Sequence, residues 1–385
     1  MVRGRALVAS SASLALLLAG CGGAADEVAE PDEPAATPEE EGDGAAGEEA
    51  APDPELHLVA TVAPIADLVA WVGGERVEVA PLVPPGADSH TYEPRPGDVT
   101  TLADADAYFG IGLDLNPGAL SLAEDNLDED RVIRLGEAHL DEEVLVFDHV
   151  HDDEGGHSHD DEGGHSHDDE GGHSHDDEGG HSHDEDDGHS HDDGPSDDAA
   201  GGPGPNPHVW TGLGVTAQLL DGIAETLTEL DPDGEETYTG NAAAAREELD
   251  ELDAQIREAV ATIPEEHRTL VVYHDAWSYF ARDYGLEMVT AVQPSDFSEP
   301  SAADVRELID LLREEEVPAL FGSEVFPSDV LDVIGEETGA EYVADLADDV
   351  LPGEPGDEQH SYLGLMRRNA TVIVEGLGGD ASPIG

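Results

Sequence analysis

The sequence predicts an α/β protein with two lobes, each a mostly parallel sheet flanked by helices, joined by one long helix. Three observations predict it. Short β-branched runs alternate with helical patterns at close spacing, first over 56–135 and again over 270–376, as parallel α/β units require. A long Ala-, Glu- and Leu-rich stretch, 234–263, lies between the two series. Once two low-complexity segments are set aside, roughly 270 residues remain, enough for two cores.

Taken in order, Leu56–Val62 reads as a buried strand and Pro64–Val72 as a helix with proline at its start. Arg76–Leu82 is a second strand, 97–105 a short helix, Ala107–Ile111 a third strand and Arg131–Leu135 a fourth. Gly212–Leu230 is helical, and the long helix follows. Leu270–His274 is a strand, Ala276–Tyr284 a helix and Leu286–Val292 a strand. Ser301–Glu315 is a helix whose start is marked by Ser301 and Asp304. Ala319–Gly322, a helix from near Ser328, a strand at Glu341–Val343 and a last helix over Gln359–Gly376 complete the series.

Residues 1–20 read as a signal peptide: Arg3 and Arg5 precede an apolar stretch, Leu14–Leu18, and small residues. The apolar run is far short of the ~20 residues that span a bilayer. Leu18-Ala19-Gly20-Cys21 resembles a bacterial lipobox, so Cys21, the only cysteine, is expected to carry a lipid rather than a disulfide. Residues 21–55 then form an acidic, disordered tether. The expected lobes are 56–232 and 263–385, with 233–262 linking them.

A second low-complexity segment, 141–205, interrupts the first lobe. Its core repeats His-Ser-His-Asp-Asp-Glu-Gly-Gly in register from His157. With its flanks it holds twelve of the nineteen histidines: His149, His151, His157, His159, His165, His167, His173, His175, His181, His183, His189 and His191. No hydrophobic core can form from such a composition, so disorder is expected. Imidazole and carboxylate side chains suit zinc and similar cations, which makes this an accessory metal-binding segment of weak, fast-exchanging sites.

The formal net charge is −78, and all fourteen basic residues are arginine. That balance excludes nucleic acid or anionic lipid as a charge-driven partner. It attracts cations and suits a salt-rich habitat, where screening relieves self-repulsion.

Three histidines outside the repeat stand apart. His90 lies in the loop Pro84-Pro85-Gly86-Ala87-Asp88-Ser89-His90-Thr91-Tyr92-Glu93-Pro94, just after a strand. His208 follows Pro205-Asn206-Pro207 at a helix entry, and His274 closes the strand Leu270–His274. Open α/β sheets place ligands at that carboxyl edge. A zinc site takes four ligands, and Asp345, just past the strand at Glu341–Val343, is the expected fourth. Asp348, one turn on, is the alternative. His57, His139, His267 and His360 lack such a setting.

The loop Val83–Pro94 resembles the signature loop of the zinc/manganese solute-binding lipoproteins of metal-uptake ABC transporters. Ala60–Leu68, Gly73–Val77, Asn206–Trp210, Tyr273–Phe280 and Ser361–Met366 fit the same family, so the resemblance covers essentially all of 56–378. It implies a rigid linking helix and a metal site in the cleft between the lobes, with His90 and His208 from one lobe and His274 and Asp345 from the other. His274 stands where manganese-selective members tend to carry glutamate, and His-rich insertions at this place occur among zinc-specific members. The expected function is therefore extracytoplasmic capture of Zn²⁺, in preference to Mn²⁺, by a monomer held to the membrane through lipidated Cys21. The ion would pass to a permease driven by a cytoplasmic ATPase. The alternatives are a Mn²⁺-binding member of the family, or a surface metal store or adhesin. An enzyme is not expected. A zinc hydrolase would want an H-E-x-x-H helix, which the sequence lacks, and Glu93 is the one obvious base near His90.

Overall fold

The two runs of alternating strand and helix become two separate sheets in the computed structural model, which describes residues 54–140, 144–146, 204–293, 301–323 and 329–385. The signal segment, Cys21, the tether up to residue 53 and all twelve histidines of the repeat lie outside those residues. The first sheet holds β1 (Leu56–Ala60), β2 (Val77–Pro81), β3 (Ala107–Gly110) and β4 (Val132–Arg134) in the order β2-β1-β3-β4. The second holds β5 (Thr269–His274), β6 (Glu287–Gln293), β7 (Ala319–Ser323) and β8 (Glu341–Leu346) in the order β6-β5-β7-β8. All neighbouring strands run parallel.

Strand composition follows position in the sheet. Central β3, Ala-Tyr-Phe-Gly, and central β7, Ala-Leu-Phe-Gly-Ser, are buried at every residue. Parallel strands covered on both faces need such runs. Edge strand β2, Val-Glu-Val-Ala-Pro, is buried at no residue and ends in proline, which an edge tolerates because no ladder bond is lost there.

The first sheet is accompanied by α1 (Ala63–Gly73), α2 (Pro96–Ala103), α3 (Pro117–Asn126), α4 (Leu135–His139) and α5 (Leu213–Leu230). Next come α6 (Glu235–Val260), α7 (Ser278–Tyr284), α8 (Asp304–Glu314), α9 (Asp329–Thr338) and α10 (Tyr362–Gly376). On α6 the residues Tyr238, Ala242, Ala245, Leu249, Leu252, Ile256 and Ala259 are buried, a stripe of alternating four- and three-residue steps. That stripe packs on α1, α5 and α10. Over 26 residues the helix is about 39 Å long. One large core runs through α1, α5, α6, α7, α10 and one face of each sheet. Smaller cores cover the other faces, under α2 and α3 in the first sheet and under α8 and α9 in the second.

The expected α/β architecture is thus present, with three local differences. α3 and α4 are not among the expected elements. α3 opens Asn116-Pro117-Gly118, which reads as a turn, and it buries only Ala119 and Ala123. Its start is set instead by the Asn116 side chain, which accepts the Ala119 N–H at 2.6 Å. β8 runs three residues beyond the expected end at Val343. Among the described residues no helix is long and apolar enough to cross a membrane.

Candidate metal centre

Four side chains meet at the carboxyl ends of the two sheets. His90 comes from the loop after β2, and His208 from the segment entering a one-turn helix, Val209–Thr211, ahead of α5. His274 is the last residue of β5, and Asp348 lies in the bend after β8. The nitrogens of His90, His208 and His274 all lie within 4.8 Å of one another. His90 Nε2 is 3.1 Å from His208 Nε2, which is 3.4 Å from His274 Nε2. His274 Nε2 is in turn 3.1 Å from Asp348 Oδ2. His208 is fully buried, and His274 and Asp348 are nearly so.

The structure therefore brings together the three histidines singled out in the sequence. The acid differs. Asp345 falls inside β8 because that strand continues to Leu346. The carboxylate beside His274 is that of Asp348, the expected alternative. Glu93 is exposed. Of the other histidines, His57 pairs with Glu78 at the surface, and the ring of His267 reaches the Leu377 carbonyl.

Each ligand segment is held by groups that the motif reading did not assign a role. Asn206 Oδ1 accepts both the backbone N–H of His208, at 3.1 Å, and its ring Nδ1–H, at 3.0 Å. With Nδ1 protonated, Nε2 keeps its lone pair and faces the other histidines, the arrangement expected of a metal-ligating imidazole. Asn206 Nδ2 also donates to the Asp275 carbonyl at 2.9 Å, and Tyr279 Oη donates to the Asn206 carbonyl at 2.6 Å. His90 sits in a turn where its N–H donates to Asp88 Oδ1 at 2.9 Å. Gly86 gives that loop a positive φ of 78°, at no steric cost. A buried, hydrogen-bonded asparagine beside a histidine is a signal that Asn206-Pro207-His208 carries, but only a structure fixes which atoms meet.

The electrostatics favour neutral imidazoles at His90 and His208. Burial, then the charge of His274, lowers the His90 pKa to about 4. Burial, then His90 and His274, pushes His208 well below the ordinary imidazole value. For His274 burial pulls the same way, but the charge and hydrogen bond of Asp348 outweigh it and the pKa rises. Burial works to raise Asp348, yet His274 holds its carboxyl below the ordinary value. The neighbouring Asp349 is pushed up to about 8 by burial and then by Asp348. One of the two adjacent acids is therefore ionised at neutral pH and the other holds a proton.

Comparison with known proteins identifies the family. A family model described as ZnuA, zinc-uptake complex component A, periplasmic, matches residues 58–376. The chain belongs to this family. Similar curated proteins include the manganese-binding lipoprotein MntA of Halalkalibacterium halodurans, 26% identical over 322 residues, covering 84% of this chain and 88% of the relative. The iron-binding protein YfeA of Yersinia pestis is 26% identical over 324 residues, covering 84% and 86%. Among solved structures, the periplasmic zinc-binding protein TroA of Treponema pallidum shares the fold with a TM-score of 0.63 at 23% identity, covering 84% of this chain and 99% of that one.

Proposed function

We propose that the protein captures Zn²⁺ outside the cytoplasm and delivers it to a metal-uptake ABC transporter. The observation that carries the reading is the donor set of three imidazoles and one carboxylate, spaced 3.1–3.4 Å apart along the series His90, His208, His274, Asp348. Donors held about 2.0–2.2 Å from a tetrahedral zinc ion stand roughly 3.3 Å from one another. Each of these three consecutive spacings matches an edge of a zinc tetrahedron, and the three imidazole nitrogens lie within 4.8 Å of one another, with Asp348 joining them through its contact with His274. Three nitrogens also favour zinc over the harder manganese ion. The relatives carry manganese and iron in their names, so cargo choice rests on this chain's own donors, above all on His274.

In this reading lipidated Cys21 anchors a monomer at the membrane, the acidic tether gives the body reach, and a permease with a cytoplasmic ATPase receives the ion. The twelve histidines of the insertion collect zinc near the cleft. The insertion's ends support that placement: Val146 pairs with Pro205, three residues before His208, and Asn206 N–H donates to the Leu145 carbonyl at 2.7 Å.

The test is a competitive titration with zinc and manganese on the protein with and without residues 149–193. One tight zinc site that survives the deletion and disappears in His208→Ala supports the reading. Loss of all tight binding with the deletion overturns it and makes the insertion itself the binding element.

A further inference from the structure

Asp348 lies in no regular element, so its backbone neighbours need partners from elsewhere. Two side chains supply them. Asn369, fully buried on α10, clasps Ala347 from both sides: its Oδ1 accepts the Ala347 N–H at 3.0 Å and its Nδ2 donates to the Ala347 carbonyl at 2.7 Å. The indole of Trp210, two residues from His208, donates to the Asp348 carbonyl at 2.9 Å. A buried amide that spends both its donor and its acceptor on one backbone residue fixes that residue's position and orientation. The fixed residue here is the one before the carboxylate.

We infer that Asn369 is a positioning residue for the metal site, holding the bend so that Asp348 reaches the ion with the three histidines. The inference rests on the metal-capture reading above and adds to it a residue that touches neither the ion nor any ligand side chain. Without the clasp the bend relaxes, Asp348 turns from His274, and the ion is left with three imidazoles and water. Groups that orient metal ligands typically change affinity by about 10–100-fold when removed.

The experiment uses Co²⁺ in the full-length protein, because its visible bands report the number and kind of its ligands. Asn369→Ala is compared with wild type, with Asp348→Ala and with His208→Ala. The expected result is that Asn369→Ala weakens Co²⁺ binding by about 10–100-fold and shows the band pattern of Asp348→Ala. A purely packing role lowers thermal stability but leaves the bands unchanged, so a wild-type spectrum in Asn369→Ala overturns the inference whatever its affinity. Should Asn369→Ala fail to fold, Trp210→Phe removes the hydrogen bond to the Asp348 carbonyl, along with part of the buried ring that packs beside His208. Bands shifted toward those of Asp348→Ala then support the inference, and wild-type bands overturn it. The underlying reading fails separately, if the wild-type bands survive in His208→Ala.

Discussion

Replacing His274 by glutamate tests the cargo assignment at the position that most sets it. The imidazole is 95% buried and its Nε2 stands 3.1 Å from Asp348 Oδ2. A carboxylate in its place turns an attraction into a repulsion. Two unit charges at that separation interact by about 5 kcal/mol at an effective dielectric of ~20, so one of the two carboxyls takes a proton in the metal-free protein. The raised pKa costs stability above it and returns stability as the pH falls, because the folded state then binds the extra proton. Metal-free His274→Glu should therefore unfold at lower urea than wild type at neutral pH and recover toward pH 5. A bound divalent ion removes the repulsion, and an oxygen donor in place of nitrogen favours manganese over zinc. The ratio of zinc to manganese affinity should move toward manganese by at least about tenfold, equivalent to ~1.4 kcal/mol. Competition with a chromophoric chelator at fixed pH measures both constants. A zinc-to-manganese ratio equal to wild type would refute the argument that the donor at 274 sets the cargo.

Three further outcomes follow from the same geometry. Asp348→Asn should weaken zinc binding by about tenfold or more and Asp345→Asn by less than twofold in the same titration; the reverse order would place the fourth donor on β8. Asn206→Ala frees the His208 tautomer and should cost about 10–100-fold in zinc affinity, with Asn206→Asp, which keeps the acceptor for His208 but loses the donor to the Asp275 carbonyl, falling between it and wild type; equal affinities for all three would reduce Asn206 to packing. In the metal-free protein, His90 is held at about 4 while the unfolded chain takes up that proton near 6.5, so its contribution is whole above 6.5 and is lost as the pH falls toward 4, on the order of 3 kcal/mol in total. Urea midpoints of wild type and His90→Gln between pH 4 and 7 check this, the difference between them cancelling the many surface carboxylates; parallel pH curves would show that His90 is not kept neutral.

Three of the four candidate donors are legible in the sequence because each sits beside a strong local signal. His90 follows a proline-rich loop, His208 a Pro-Asn-Pro turn, and His274 the end of a strand whose β-branched run is unmistakable. Strand ends and helix entries can be read from a few neighbours, and in α/β sheets they define the ligand edge. The fourth candidate has no comparable signal. Asp345, Asp348 and Asp349 are the same residue type within five positions, and choosing among them depends on where β8 stops. That end point is set by tertiary contacts, from Trp210 at 138 residues' distance and from Asn369 on α10. The short helices α3 and α4 escaped for a related reason: their starts depend on a side-chain cap or a neighbouring strand rather than on periodicity.

Selectivity in so acidic a protein must come from what the surface does not offer. With a net charge of −78, carboxylates outnumber every other charged group, and any divalent cation is drawn toward the chain. Attraction of that kind raises local concentration and is screened by salt, but it hardly distinguishes zinc from manganese, calcium or magnesium. The buried centre reverses the surrounding chemistry. His90 and His208 are kept neutral by burial and mutual repulsion, so their nitrogen lone pairs are available without first displacing protons. One ionised carboxylate, paired with His274, supplies charge, while Asp349 beside it retains its proton. A site with two ionised acids would hold hard cations more tightly and lose discrimination. On the proposed reading the acidic exterior concentrates cations in general, and the neutral imidazoles of His90 and His208, with His274, decide which of them stays.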